Sequence, residues 1–246
     1  APSEKMDVII ADYVLEHIEN PSKFSKEIDR LLKPGGWFLS FSAPRLYHAI
    51  AMAVDIAGFE IRDAINWVYT QNQPKGMSVN RSINTLNLDN GKKEKLRVMY
   101  KNYKTPGMKS CYEPICVAMK PTEGRFIDNE LNFKTGLLNF GEKVGRNKVI
   151  ANVVTVNEFD DVYDSNFLVT KPSKKEKGFS NIHLSVKPLT LIEHLLRIFT
   201  KEGSMVIDPF LGSGTTAVAC KNLKRKCIGI ERESEYIKIC FQRLDT

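Results

Sequence analysis

An acidic residue, a glycine turn and a second acidic residue follow one another near the end of the chain. A short apolar run ends in Asp208, and Gly212 and Gly214 precede a helical pattern that begins at Thr215. Glycine lets backbone amides approach a ligand closely, and the amino end of a helix favours negatively charged groups. Glu231 ends the next apolar run, at the distance where an acidic side chain commonly binds ribose hydroxyls. The pattern predicts a site for a cofactor that contains a nucleoside. No lysine follows the second glycine, which argues against ATP hydrolysis.

The segment Asp208-Pro-Phe-Leu-Gly-Ser-Gly-Thr-Thr216 resembles the S-adenosylmethionine-binding motif of the DNA amino-methyltransferases, in the permuted motif order of their beta class. These enzymes methylate adenine N6 or cytosine N4. The preceding His183-Leu-Ser-Val-Lys-Pro188 is similar to another element of the family. Further similar segments follow the family in order: Lys33–Phe41, Tyr47-His48, Ala57–Tyr69, Pro74-Lys75 and Glu113–Pro121. The resemblance covers most of the chain outside residues 125–180 and implies S-adenosylmethionine as the cofactor.

The resemblance also implies roles for individual residues, carried over by matching position. Glu231 would bind the cofactor's ribose and Lys187 its carboxylate. The other implied cofactor-binding residues are Asp208, Pro209, Phe210, Gly212, Gly214 and Thr215. No metal is expected, because Cys111 and Cys116 have a metal-like spacing but no second Cys/His pair follows them.

The family's catalytic tetrapeptide is Asp/Asn/Ser-Pro-Pro-Tyr/Phe/Trp, and Asp12-Tyr-Val-Leu15 stands at its position. Asp12 matches, both prolines are absent, and Tyr13 is the candidate aromatic. The resemblance implies that Asp12 accepts a hydrogen bond from the target amine and that Tyr13 stacks on a flipped base. Such acceptors are needed because the lone pair of an exocyclic amine is conjugated with its ring. The expected activity is site-specific methylation of DNA in a restriction-modification system, with adenine N6 favoured over cytosine N4.

The departures from the tetrapeptide leave two alternatives open. One is a catalytically impaired homologue that serves as a DNA- or cofactor-binding partner subunit. The other is a methyltransferase that acts on RNA or a small molecule, because Leu15-Glu-His17 is similar to a strand end of small-molecule methyltransferases of the same fold.

Apolar patterns place these residues on alternating strands and helices. Strands are predicted at 6–12, 37–41, 59–69, 114–119, 149–156, 204–208 and 226–231, and helices at 21–32, 47–57, 188–200, 215–223 and 234–244. Residues 33–36 are predicted to separate a helix from a strand, and residues 171–177 to form a solvated loop. The order predicts an α/β fold with a doubly wound, mostly parallel sheet of the Rossmann-like methyltransferase type.

Three regions are expected along the chain. Residues 1–70 form the catalytic half, residues 71–180 a basic segment and a less regular target-recognition insertion, and residues 181–246 the cofactor-binding half. The two halves are expected to interleave in one sheet.

Composition excludes several classes of protein. With 246 residues, 42% hydrophobic and 26% charged, the chain is neither disordered nor fibrous. It contains no apolar run of roughly 18 residues, so no membrane span or membrane partner is expected. Five cysteines in a chain of this length indicate reduced thiols, and the expected location is cytoplasmic or nucleoid-associated.

The net charge of +7 is concentrated in one segment. Residues 71–120 carry 10 Lys and Arg against 3 acidic residues, interleaved with Tyr100, Tyr103 and Tyr112. Such a segment is typical of a surface that follows phosphates, so double-stranded DNA is the expected partner. The candidate nucleic-acid-binding residues are Lys75, Arg81, Lys92, Lys93, Lys95, Arg97, Lys101 and Lys104. A homodimer, or a heterodimer with an active homologue, is the expected assembly.

Overall fold

The computed structural model describes residues 5–12, 18, 20–69, 75–141, 150–154, 171–178, 181–183 and 185–245. The chain divides into one unit of Ala1–Tyr69 with Tyr112–Thr246 and a second unit of Thr70–Cys111. The described strands are β1 Met6–Asp12, β2 Leu32–Phe41, β3 Glu60–Val68, β4 Tyr112–Met119, β5 Val153–Val154, β6 Met205–Asp208 and β7 Lys226–Gly229. The described helices are α1 Pro21–Leu31, α2 Tyr47–Ile56, α3 Asn80–Thr85, α4 Asn90–Met99, α5 Phe126–Phe133, α6 Lys174–Lys177, α7 Leu189–Phe199, α8 Thr215–Asn222 and α9 Ser234–Leu244. None of these helices combines the length and hydropathy that a membrane crossing requires.

The sheet of the first unit has helices on both faces. Its strand order is β5-β3-β4-β2-β1-β6-β7. In the interior strand β1, Val8 and Ile10 pack into the core under α7 and α8, whereas Ile9 and Ala11 pack into the core under α1 and α2. Burial on both faces explains why β1 is a continuous apolar run. The doubly wound fold predicted from the sequence is confirmed, and β1 joins the first part of the chain to the last.

One strand runs against the others. β1 is parallel to β2 and β6, β6 to β7, and β3 to β5, whereas β4 is antiparallel to both of its neighbours, β2 and β3. Phe41, at the end of β2, therefore lies opposite Ile115 near the start of β4. The amino end of β4 thus joins the edge where the neighbouring strands end.

The predicted separation of α1 from the next strand at residues 33–36 is wrong. β2 begins at Leu32, directly after α1. Leu32 pairs with Met6, and the next pair is Val8 with Trp37, so the four residues between bulge out of the ladder. Gly35 permits this bulge because its φ of +71° suits glycine. The Pro-Gly-Gly sequence ends the helix as expected, but it does not end the pairing.

Regular structure also occurs where the sequence predicted little. Lys174–Lys177 form a helical turn instead of a loop, because the Ser173 side chain accepts from the Glu176 amide (3.2 Å). In the second unit, Asp89 caps α4 by accepting from the Lys92 amide (2.9 Å). Helices α3, α4 and α5 are short and bury few apolar side chains, so they leave no clear periodicity in the sequence.

Candidate active site

Side chains from distant parts of the chain meet at one edge of the sheet. Asp12 ends β1, Phe41 ends β2 and Asp208 ends β6. Because β1 is parallel to both neighbours, the three carboxyl ends lie together. All three residues line a cavity of about 30 Å³, which they share with the glycine turn and Lys187. This volume suffices for about one water molecule.

The carboxylate of Asp208 organises the glycine turn. Asp208 is 3% exposed, Oδ2 accepts from the Thr216 hydroxyl (2.6 Å), and Oδ1 accepts from the Phe210 amide (3.0 Å). Burial raises the pKa of Asp208 to about 7, although both hydrogen bonds oppose the rise; the charges of Asp12 and Glu231 add to it. The end of β6 is therefore tied to the start of α8 through one buried side chain.

The two glycines of the turn are required by both conformation and space. Gly212 has φ +55° and Gly214 has φ +87°. A Cβ on Gly214 would lie 2.8 Å from the Cβ of Cys240 and 3.1 Å from its Cα, and a Cβ on Gly212 would lie 2.7 Å from Nε2 of His183. From α9, Arg243 donates to the Ser213 carbonyl (2.9 Å). The turn is thus a closely packed cradle that opens α8.

Glu231 lies just after β7 and reaches back to this cradle. Its Oε2 accepts from the Gly212 amide (2.8 Å), and Oε1 accepts from the amides of Arg232 and Glu233. Glu231 also lines a second cavity of about 600 Å³ between β7, α8 and α9. Asp12 lines the small cavity and does not line the larger one.

Lys187 is buried between two carboxylates. It is 6% exposed, and its Nζ lies 2.7 Å from Asp12 Oδ1 and 3.5 Å from Glu113 Oε2. Burial lowers the pKa of Lys187, but the two carboxylates outweigh burial and the net shift is upward. Lys187 is therefore a charged ammonium that binds Asp12 directly.

The structure brings together most of the predicted site. Asp12, Lys187, Asp208, Phe210, Gly212 and Thr215 all line the small cavity, Pro209 lies between Asp208 and Phe210, and Gly214 and Glu231 complete the turn. Tyr13 lies outside the described residues, as do Glu16 and His17. The roles of all these residues stay predictions.

Sequence reasoning missed Glu113, Tyr69 and Arg243 as members of the site, and it gave no role to His183, the first residue of the family-like segment 183–188. The His183 ring packs edge-to-face on Tyr236 (4.5 Å between centroids), and burial lowers its pKa. A signal for Glu113 was present, because it is an acidic residue at the start of an otherwise apolar strand. No comparable local signal marked Arg243, which lies on an amphipathic helix.

The eight predicted nucleic-acid-binding residues all belong to the second unit. Residues 70–111 carry nine Lys and Arg against two acidic residues. Lys93 and Arg97 are half-buried and bind Asn84, at its carbonyl (3.0 Å) and its side-chain oxygen (2.7 Å) respectively. The exposed members are Lys75, Arg81, Lys92, Lys95, Lys101 and Lys104. Tyr100 and Tyr103 pack edge-to-face in this unit, whereas Tyr112 starts β4 in the first unit.

Metal ligands are not grouped within the described ranges. No set of three or more His, Cys, Asp or Glu side chains in those ranges is arranged to hold a metal ion. All five cysteines are free thiols.

Comparison with known proteins gives a consistent result. The sequence model of a family described as DNA methylase matches residues 12–242. The chain is 26% identical over 232 residues to the type II methyltransferase M.HindIII of Haemophilus influenzae, an alignment that covers 93% of the chain and 69% of the relative. It is 45% identical over 73 residues to the type II methyltransferase M2.DpnII of Streptococcus pneumoniae, which covers 30% of the chain and 27% of that relative.

Solved structures agree with this match. The complex of M1.HpyAVI with SAM has a TM-score of 0.62 and 25% identity, and the alignment covers 99% of the chain and 90% of that structure. PvuII DNA methyltransferase, described as cytosine-N4-specific, has a TM-score of 0.63 at 15% identity, covering 98% and 80% of the two chains. The second likeness concerns the fold alone.

Replacing Gly214 tests the close packing of the cradle. Gly214→Ala is expected to lower the free energy of unfolding by about 2–4 kcal/mol, because it combines positive φ with overlap on Cys240. Urea denaturation measures the change. Gly58→Ala is the matched control, since Gly58 has φ +99° with nothing within 4 Å, and about 1 kcal/mol is expected there. Equal losses in the two variants would contradict the overlap.

The raised pKa of Asp208 predicts a pH dependence of stability. Between about pH 4 and pH 7 the unfolded carboxyl is ionised while the folded one keeps its proton, so this group's contribution to stability falls as pH rises through about 7. Asp208→Asn lacks this contribution, and its stability relative to the original protein should therefore increase with pH over that window. Urea denaturation at several pH values measures the difference. A flat profile for Asp208→Asn over this window would contradict the prediction.

Proposed function

The chain belongs to the DNA methylase family, and on that premise we propose that it transfers a methyl group from S-adenosylmethionine to the exocyclic N6 of adenine in double-stranded DNA. One observation carries the proposal most directly. Asp12, at the position of the family's catalytic acid, lines the same small cavity as the glycine turn at the predicted cofactor site. A methyl acceptor held by Asp12 would therefore lie next to a cofactor held by that turn.

The residues present suit the proposed cofactor. The cradle has no room for a Cβ at Gly212 or Gly214, the amino end of α8 opens from it, and Glu231 lies beside it. In the proposed site the turn and α8 bind the cofactor with backbone groups, Glu231 binds its ribose hydroxyls, and Lys187 binds its carboxylate. When bound, the cofactor supplies a methyl group on a positively charged sulfur.

Asp12 supplies the chemistry on the acceptor side. Its carboxylate accepts a hydrogen bond from the exocyclic amine, which draws the nitrogen lone pair out of conjugation and orients it towards the methyl group. The cofactor would supply the methyl group and keep the bonding electron pair on its sulfur, so the target nitrogen beside Asp12 would gain positive charge. The Asp12 carboxylate would stabilise that charge, and the nitrogen would then release one proton to solvent.

The basic unit is the proposed surface for the phosphate backbone. Its support is the concentration of positive charge in residues 70–111 together with two exposed tyrosines. Contacts to phosphates give affinity without sequence preference, whereas base contacts provide recognition. The unit is therefore proposed to supply general DNA affinity.

Replacing Asp12 tests the chemical step. Asp12→Ala should lower methyl transfer by at least about 100-fold, because the amine loses its charged acceptor. Asp12→Asn, which keeps an acceptor oxygen that the family tetrapeptide allows, should lose less. Transfer is measured with labelled S-adenosylmethionine and DNA, and mass spectrometry of the nucleosides distinguishes N6-methyladenine from N4-methylcytosine.

The control for this assay is Asp55→Ala, at an exposed position on α2. Unchanged transfer by Asp12→Ala would move the chemistry to another residue. Cofactor binding by the original chain without transfer to any DNA would contradict the proposal and favour the non-catalytic partner subunit. That alternative is motivated by residues 12–15 of this chain, which lack the two prolines of the family's tetrapeptide. Transfer to RNA or a small molecule instead would favour the remaining alternative.

Neutralising the basic unit tests the DNA surface. The combined variant Lys95→Gln, Lys101→Gln and Lys104→Gln should weaken binding similarly for all DNA sequences. The slope of log affinity against log salt should shrink by roughly 0.9 for each phosphate that the variant no longer neutralises. Lys5→Gln, Lys23→Gln and Lys26→Gln make the same charge change at exposed positions of the first unit. Equal effects of the two triple variants would contradict a specific role for the basic unit.

A further inference from the structure

A second carboxylate, Glu113, lies behind Asp12 at the candidate active site. It is the second residue of β4, and β4 is antiparallel to its neighbours. An antiparallel strand places its amino end where parallel neighbours place their carboxyl ends, so Glu113 joins the edge formed by Asp12 and Asp208. Glu113 is 7% exposed and pairs in register with Trp67.

Two of the contacts that Glu113 makes bear on the candidate active site. Its Oε2 lies 3.5 Å from the Lys187 ammonium, and its Oε1 accepts a hydrogen bond from the Tyr69 hydroxyl (3.2 Å). The Lys187 ammonium in turn lies 2.7 Å from Asp12 and over the Phe41 ring, 5.4 Å from its centroid. Lys187 is therefore shared between two carboxylates from strands on either side of β2.

A buried ion cluster of this kind is a weak source of stability. Burying charged groups costs several kcal/mol for each ion, and apolar replacements of buried ion pairs are often neutral or stabilising. Before a cofactor binds, and with both carboxyl groups ionised, Asp12, Glu113 and Lys187 together carry one net negative charge. Without Glu113, Lys187 would cancel the charge of Asp12. Buried charge that stability does not require is typical of a functional site.

The net negative charge of these three side chains suits the chemistry at the acceptor nitrogen. Positive charge moves from sulfur to this nitrogen during transfer, so a nearby negative charge favours the step. We propose that Glu113 is a positioning residue for methyl transfer: it binds and orients Lys187, which in turn orients Asp12 for the target amine, and it adds the charge that leaves the cluster negative. This inference rests on the proposed function. Glu113 acts through Lys187 and needs no contact with either substrate.

The cluster also predicts how the rate depends on pH. The groups that face Glu113 are Lys187 from the segment before α7, Asp12 from β1, Lys171 from the segment before α6, and Tyr69 after β3. Burial raises the pKa of Glu113, Lys187 opposes the rise, Asp12 adds to it, and Lys171 and the Tyr69 hydroxyl lower it, with a net upward shift. Activity requires ionised Glu113, so the rate should fall as pH decreases through this raised pKa.

Three variants test the role. Glu113→Gln should lower the single-turnover rate by about 10- to 100-fold, by analogy with the loss seen when a partner that orients a metal ligand is removed. It should also abolish the acidic limb that Glu113 causes. Glu113→Asp keeps the charge and should recover most of the rate. Tyr69→Phe removes a hydrogen bond that lowers the pKa of Glu113, so the acidic limb should move to higher pH.

The rates are measured with saturating S-adenosylmethionine and DNA between pH 5 and pH 9, beside circular dichroism and Tm. Glu60→Gln is the matched control, because Glu60 is exposed and pairs with Met119 at the opposite end of β4. It should leave both the rate and the pH profile unchanged.

The outcomes separate the two proposals. If the original chain transfers no methyl group to any DNA, the proposed function fails and this inference fails with it. If the original chain is active and Glu113→Gln has the same rate and acidic limb, only the role of Glu113 is overturned. A rate loss that follows a loss of Tm, and that Glu113→Asp does not restore, also overturns it, since Glu113 would then be merely structural.

Discussion

The parallel pairing of β1 with β6 is the constraint on which the candidate site depends. Val8 pairs with Val206 and Ile9 with Ile207, so the first strand lies beside a strand from the other end of the chain. Buried Asp7 supports this arrangement, because its Oδ2 accepts from the Met205 amide (2.6 Å) and its Oδ1 binds Lys33 (2.6 Å). Since side chains alternate along a strand, a slip of one residue would turn Asp12 away from its present face. The position of Asp12 relative to Asp208 therefore follows from backbone register.

The second constraint is the direction of β4. A parallel strand at this place would begin at the far edge and carry Glu113 away from the site. The antiparallel strand places Glu113 within reach of Lys187, and Lys187 then links it to Asp12. The charges of the site thus come from β1, β4, β6 and the segment before α7, which meet only in the folded chain. Their burial strengthens each electrostatic interaction, and it also raises the cost of leaving any of them unpaired.

Local patterns in the sequence predicted the parts of the fold that are stabilised locally. The last helix spans the predicted residues 234–244, and Gly58 follows α2 with positive φ, as a helix-ending glycine should. The error at residues 33–36 has a physical cause. Pro-Gly-Gly ends a helix through backbone preferences, but whether the strand has already begun depends on pairing with β1, which local preferences do not contain. The short helices of the second unit escaped detection because their stability comes from caps and surface contacts.

The sequence by itself determined the glycine cradle, its two flanking acids and the family, because these depend on residues close together in the chain and on their spacing. It also located the excess positive charge in residues 70–111, because counting the charged residues along the sequence is enough to find it. Only the tertiary structure decided that Lys187 binds Asp12 and that Glu113 completes the cluster. Those contacts join residues that lie between 74 and 175 positions apart, and only the packing of the segment before α7 against the folded sheet brings them together.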